Sequence, residues 1–235
     1  MAKRGGSKGS LPSKAALAQF INDSPGRVGK REIMRAFNLD AGDRPALLAW
    51  DAIAKALLRS VDAGATWVTH LFNAMAPLHH RDPGLAGLAL SDGRLHVGLI
   101  PDGIHVHPAV VAMAQRALGE RLTIVTDAVA ALGQPAGSYG PITVGDDGVR
   151  LADGTLAGSN LAMDQGVRNL VAFTGCPPEA ALHAASTAPA AVLADPTRGT
   201  LAPGARGDLV LLSEDLDLVA TVLGGEVVHD RRGSR

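Results

Sequence analysis

Leu95–Asp127 reads LHVGLIPDGIHVHPAVVAMAQRALGERLTIVTD, and this stretch decides the fold. Its first six residues, LHVGLI (Leu95–Ile100), have the short, mostly apolar run of a buried strand, and LTIVT (Leu122–Thr126) has the same character. Between them Pro108–Leu118 has the composition and length of a helix. Upstream the order repeats. Asp51–Asp62 carries Ile53, Leu57, Leu58 and Val61 at helical spacing, Ala63-Gly64-Ala65 ends that helix, and TWVTHLF (Thr66–Phe72) is another strand. Strands alternating with helices predict parallel β/α units.

Each of the three strands ends in polar residues: Thr69-His70 with Asn73, Asp102-Gly103-Ile104-His105, and Thr126-Asp127. In parallel β/α folds, ligands meet the carboxyl ends of strands, on loops held by a rigid sheet. The residue types suit chemistry there. A neutral imidazole binds divalent metals, a carboxylate takes and returns protons, and an arginine fork such as that of Arg81 fits phosphate. Each residue also has a plain structural use: a strand-end histidine as a hydrogen-bonded scaffold residue, Asp127 as a helix cap, and His79-His80-Arg81-Asp82 as an exposed loop. The same polar punctuation at three strand ends favours a site. The sequence has no phosphate loop, dinucleotide fingerprint, serine-hydrolase elbow or His-Glu-x-x-His motif, which removes the primary evidence for those enzyme classes.

Composition narrows the field further. The 235 residues suit one domain with a short appendage, and 46% apolar residues allow a sizeable core. The aromatic residues, four Phe, two Trp and one Tyr, are too few for a surface that works mainly by stacking on bases or sugars. A single cysteine, Cys176, excludes an internal disulfide. No apolar run approaches the roughly 20 residues of a membrane helix, and the start MAKRGGSKGS lacks the apolar segment of a secretory signal, so a cytoplasmic protein is expected. Residues 1–45 carry nine Lys or Arg against four Asp or Glu, while the remainder carries 13 against 19. That change of sign predicts a boundary.

Residues 1–10 are expected to form a disordered basic tail. Two short helices then follow, one after Ser13 with Leu17, Phe20 and Ile21 on one face, and one over Lys30–Leu39 with Ile33, Met34 and Phe37 inward. Joined by a Gly-bearing turn, they suggest a helix-turn-helix. Beyond Asp127, PITVGDDGVRLADGTLAGS predicts short β segments, Leu161–Phe173 and Pro178–Leu193 predict helices, and the glycine-separated strands from Gly199 onward predict a small β layer. In the first of those helices Met163, Val167, Leu170 and Val171 are expected to face inward.

Two resemblances add to this reading. FINDSPGRVGKREIMRAFNLDAGDRPAL, within Leu11–Leu48, resembles the N-terminal helical region of bacterial ribonuclease R, which implies at most a weak RNA contact through residues 1–45. VTHLFNAMAPLHHRDPGLAG, PDGIHVHP, TDAVAALG, GTLAGSNLAMDQGVRNLV and GTLAPGARGDLVLL, over about residues 52–228, resemble the C-terminal two-thirds of the N-acetylglucosamine-6-phosphate deacetylase family of the amidohydrolase superfamily. The second resemblance implies an α/β fold: a partial TIM barrel of strands six to eight in residues 50–138, then helices and a C-terminal β layer in 139–235. It implies metal-dependent hydrolysis of the acetamide of N-acetylglucosamine 6-phosphate. His70 would bind the metal, zinc or iron(II). Asn73, Ala74 and Arg81 would hold the sugar phosphate, with Arg81 reaching across a homodimer. His105 would contact the substrate, Asp127 would be the catalytic acid/base, and Leu156, Ala157 and Gly158 would line the sugar pocket.

The family's glutamate ligand, in a His-Leu-Glu-Gly-Pro setting, and its other histidine ligand, in a Gly-His-Ser setting, have no counterpart here. The resemblance therefore implies an incomplete metal site and impaired turnover; His79, His80 and His107, near the expected mouth of the site, are the alternative ligands, and their recruitment is not expected. Two other readings stay open: an RNA-binding helical module on an inactive scaffold, and a non-functional gene fusion.

Overall fold

A computed structural model describes residues 56–233. The expected basic tail at 1–10, the ribonuclease-R-like helices at 11–48 and the RNA contact through 1–45 lie outside the described residues. Residues 56–62 are helical, with Val61 buried. Strand β1 follows at Trp67–Val68, then α1 at Gly84–Ser91, β2 at His96–Leu99, α2 at Pro108–Leu118 and β3 at Leu122–Ile124. The three strands form one parallel sheet in the order β1-β2-β3, with Val68 opposite Val97 and Leu99 opposite Ile124. Sequential parallel strands joined by helices are the arrangement the alternating pattern predicts.

The sheet holds together through a division of faces. Val97, Leu99, Leu122 and Ile124 are buried in a core with Val111, Ala114 and Leu118 of α2. Gly98 leaves space on β2, and the Trp67 indole uses it: its Nε1 donates to Thr123 Oγ1 at 3.1 Å, spanning all three strands. A Cβ at Gly98 would stand 3.1 Å from that indole and 3.3 Å from the His70 nitrogen. The close approach lets the chain fold over the end of β2, where the Leu71 amide donates to Gly98 O at 2.7 Å. The run Thr66–Phe72 is consequently strand only at Trp67–Val68, because the backbone turns at His70, whose φ is 30°.

Helix α2 has the expected bounds. Pro108 occupies its first turn, the His107 side chain accepts from the Ala109 amide at 3.2 Å, and Gly119 ends it at φ 55°. After β3 the chain makes an antiparallel excursion through β4 (Gly137–Tyr139), β5 (Ile142–Gly145) and β6 (Gly148–Leu151). Helix α3 (Met163–Thr174) then returns to the core and packs on α2 and β3. Val167 and Leu170 are buried as expected, whereas Met163, in the first turn, is exposed.

A single helix over Pro178–Leu193 does not form. The chain makes α4 at Pro178–Ala185 and α5 at Thr187–Val192, with Ser186 outside helical geometry between them. The reason is Pro189. In an unbroken helix it would lack the N–H that bonds Ala185 O, and its ring would strike that carbonyl. Restarting at Thr187 places the proline in a first turn, where no such donor is required. The chain closes with an antiparallel sheet of β7 (Leu209–Leu212), β8 (Leu218–Leu223) and β9 (Glu226–Asp230). Among the described residues no helix is long and apolar enough to cross a membrane.

Candidate active site

The candidate groups follow the carboxyl ends of β1, β2 and β3. Neighbouring strands lie about 4.8 Å apart, so the outer two ends are separated by about 10 Å, the width of a small ligand. Backbone strain concentrates at this edge. Of six described non-glycine residues with positive φ, four are His70 (30°), Phe72 (73°), Ala74 (52°) and Asp127 (51°). Such conformations persist where the surroundings over-determine them, and they cluster at functional sites.

After β1, His70 is half-buried, and its Nδ1 is buried with no hydrogen-bond partner. Asn73 turns back on the loop: its amide donates to His70 O at 2.9 Å and its Nδ2 to Leu71 O at 3.1 Å. Ala74 is exposed beside it. Arg81 lies further along, in the exposed His79–Asp82 turn, with its guanidinium 2.7 Å from His80 Nε2. The Arg81 charge, then His79, push the His80 imidazole below its usual pKa. The described hydrogen bonds of Arg81 stay within that turn, and none reaches Asn73 or Ala74.

After β2, His105 Nδ1 stands 2.6 Å from Asp102 Oδ2, and the two side chains are 5% and 8% exposed. Asp102 Oδ1 also accepts from the Ile104 amide at 2.9 Å and the His105 amide at 2.8 Å. Burial alone would raise the pKa of Asp102, but these hydrogen bonds outweigh it and hold the carboxyl below its ordinary range. From the sequence, Asp102 is legible only as part of the polar strand end. Its place three residues before His105, in PDGIH, was the available signal.

After β3, exposed Asp127 is tied to the segment that follows β6. Its carbonyl accepts from the Ser159 amide at 2.8 Å, the Val129 amide donates to Ser159 O at 2.9 Å, and Ala128 pairs with Ser159 in parallel. The Ser159 hydroxyl, almost fully buried, donates to Thr126 O and accepts from the Leu161 amide. Leu156, Ala157 and Gly158 are strung between this contact and β6, where the Ala157 amide donates to Val149 O at 2.9 Å. Three expected pocket residues thus reach Asp127 from 29 residues or more along the chain. Sequence reasoning missed Ser159, which fastens them.

An apolar groove of about 280 Å³ lies along the outer edge of β1, lined in part by Leu57, Trp67, His70, Met75, Leu85 and Leu88. It touches neither His105 nor Asp127, and its lining does not suit a phosphate.

The donor set does not complete a catalytic metal centre. Such a centre takes about three protein ligands, and the orphaned Nδ1 of His70 offers one free donor atom. Among the described residues no three of His, Cys, Asp and Glu gather. All eight histidines and the cysteine fall between residues 70 and 229, so residues 1–55 cannot supply an imidazole or a thiolate. The substitute ligands are otherwise engaged: His107 caps α2, His79 Nδ1 accepts from the Arg81 amide, and His80 meets the Arg81 guanidinium.

Parallel β/α units with polar groups at the strand ends define an α/β fold, and the comparisons make it one of amidohydrolase type. Residues 49–228 match the amidohydrolase family, and the chain belongs to it. Members generally use a divalent metal. The N-acetylglucosamine-6-phosphate deacetylase of Bos taurus is 46% identical over 180 residues, covering 72% of this chain and 44% of that protein. The N-acetylgalactosamine-6-phosphate deacetylase of Escherichia coli O157:H7 is 41% identical over 171 residues, covering 71% and 45%. A solved structure of N-acetyl-D-glucosamine-6-phosphate deacetylase from Mycobacterium smegmatis, an Asp-to-Ala variant in complex with N-acetyl-D-glucosamine-6-phosphate, is similar with a TM-score of 0.67 at 43% identity, covering 72% and 46%. The chain spans under half the length of these relatives.

Proposed function

We propose that residues 50–235 form the substrate-binding and acid/base part of a deacetylase acting on N-acetylglucosamine 6-phosphate, with β1, β2 and β3 standing as strands six to eight of a barrel. The observation that carries this is the convergence on one sheet edge of His105, Asp127 and Leu156–Gly158, on a backbone strained at Asp127. In the reaction a water oxygen adds to the acetamide carbonyl carbon and the C–N bond breaks. Asp127 accepts the proton of that water and delivers it to the leaving nitrogen, giving acetate and glucosamine 6-phosphate. His105 holds the sugar, Leu156–Gly158 close over it, and Asn73, Ala74 and Arg81 take the phosphate. The described hydrogen bonds of Arg81 stay within its own turn, and in this reading the arginine serves a phosphate held by a second copy in a homodimer.

His70 would contribute one ligand to a zinc or iron(II) ion, whose other ligands are not among the described residues gathered at the site. Turnover by this chain alone should accordingly fall orders of magnitude below the usual 1–10³ per second. The test is release of glucosamine 6-phosphate from N-acetylglucosamine 6-phosphate, with unphosphorylated N-acetylglucosamine as control. Slow release that disappears in Asp127→Asn is expected. Release unaffected by Asp127→Asn would overturn the role of Asp127, and a rate near 1 per second would overturn the incomplete centre.

A further inference from the structure

We infer that Asp102 is a positioning residue for His105: its carboxylate holds the imidazole through Nδ1, so that Nε2 meets a hydroxyl of the sugar phosphate as a lone-pair acceptor. The inference rests on the proposed reading of His105 as a substrate contact.

The geometry leaves the Asp102 carboxylate little freedom. Oδ1 is occupied by two backbone amides, and Oδ2 lies 2.6 Å from Nδ1 of His105. An ionised carboxylate only accepts hydrogen bonds, so the proton in that contact sits on Nδ1. In the neutral ring Nε2 then carries a lone pair. Nε2 engages nothing among the described residues, and it is not one of the buried atoms left without a partner. Its lone pair is therefore unclaimed among the described residues.

The mount itself is rigid. Asn169 Nδ2 on α3 donates to Pro101 O at 2.8 Å, immediately before the loop. A Cβ at Gly103 would stand 3.4 Å from the Phe173 ring, and Ile104 packs over Gly148 beside Leu156. Residues on both sides of the Asp102–His105 pair are thus held by α3 and β6. A buried carboxylate on one imidazole nitrogen fixes both the tautomer and the ring plane. A sugar ring rich in hydroxyl donors is matched by an acceptor held in one orientation.

Long-range ¹H–¹⁵N NMR of histidine-labelled chain, at a pH where the rings are neutral, reads the tautomer directly. The wild-type His105 signal is expected to show its proton on Nδ1. Asp102→Asn offers an amide donor to Nδ1 and should move the proton to Nε2. Affinity for N-acetylglucosamine 6-phosphate, measured by calorimetry, should fall about tenfold in Asp102→Asn and recover in part in Asp102→Glu. A wild-type proton on Nε2 would overturn the proposal, and that measurement needs no variant to fold. Unchanged affinity in Asp102→Asn, with binding lost in His105→Ala, would overturn it as well. Unchanged affinity in His105→Ala would remove the substrate contact and the proposal with it. An Nδ1 proton on His105 in the wild-type sample would then locate the failure in the contact, not in the Asp102–His105 bond.

Discussion

Asp127 keeps its left-handed backbone because Gly158 lies against it. Gly158 itself has φ +82°, and a Cβ there would come within 2.7 Å of Asp127 O and 2.8 Å of Val129 Cγ1. A side chain at this position meets both a disfavoured conformation and a backbone carbonyl that cannot move aside cheaply. Gly158→Ala is expected to destabilise the chain by about 2–3 kcal/mol in urea unfolding, and to weaken sugar-phosphate binding by displacing Asp127. A stability change under about 0.5 kcal/mol, the range of ordinary surface substitutions, would show that the two segments are not in contact. His96 gives a second residue-scale prediction. Burial, then the charge of Arg121 and the neighbouring His183, hold its pKa below the ordinary value. The unfolded chain therefore takes up this proton more readily than the folded one. The contribution is fully present above about pH 6.5 and is lost as pH falls below it. Unfolding free energy measured between pH 7.5 and 5.5 should decline on the acid side, and His96→Gln should flatten part of that decline. An equal slope in both proteins would reject the role of His96.

At the scale of elements, the end of α1 depends on one side chain from beyond α2. Arg121 donates to the carbonyls of Ala89, Leu90, Asp92 and Leu95 at 2.7–3.1 Å; those of Ala89 and Leu90 are acceptors that the last helical turn leaves free, and those of Asp92 and Leu95 belong to the connection into β2. Arg121→Ala is expected to cost about 2–3 kcal/mol, read as a lowered urea midpoint with an unchanged slope. Arg121→Lys should recover only part, because an ammonium cannot span four carbonyls as a planar fork does. A loss under 0.5 kcal/mol in the alanine variant would make the cap unimportant. Helix α2 and the β/α order were legible in the sequence because a strand and a helix each have a local period. The break at Ser186 had a local signal too, Pro189, which the apolar pattern across Pro178–Leu193 overrode. The shortening of the first strand had none: it follows from Gly98 on the neighbouring strand, 28 residues after His70.

At the scale of the whole molecule, the proposed function predicts different responses to a sugar phosphate and to a metal ion. A divalent ion held by a complete site at 100 times its dissociation constant would stabilise the folded chain by about 2.7 kcal/mol, or several degrees in a domain of this size. With His70 as the one orphaned imidazole at the site, zinc or iron(II) at micromolar concentration is expected to leave the melting temperature unchanged, as is a chelator. A rise of several degrees that disappears in His70→Ala would show that a centre assembles after all. N-acetylglucosamine 6-phosphate, in contrast, should raise the melting temperature without metal.

The amino-acid sequence by itself determined the order of strands and helices and the polar groups after each strand, and its motifs pointed to the family the chain belongs to. These depend on local period, on turn residues, or on residue identity at fixed spacing. Tertiary structure decided which of those polar groups are free. His79, His80 and His107 are taken up by a turn, an arginine and a helix cap, whereas the Nδ1 of His70 is left orphaned. It also decided that Asp102 holds His105 and that Ser159 and Gly158 bring the Leu156 segment to Asp127. Such pairings join residues whose separation along the chain has no period, and only the packing of three strand ends on one edge sets their distance.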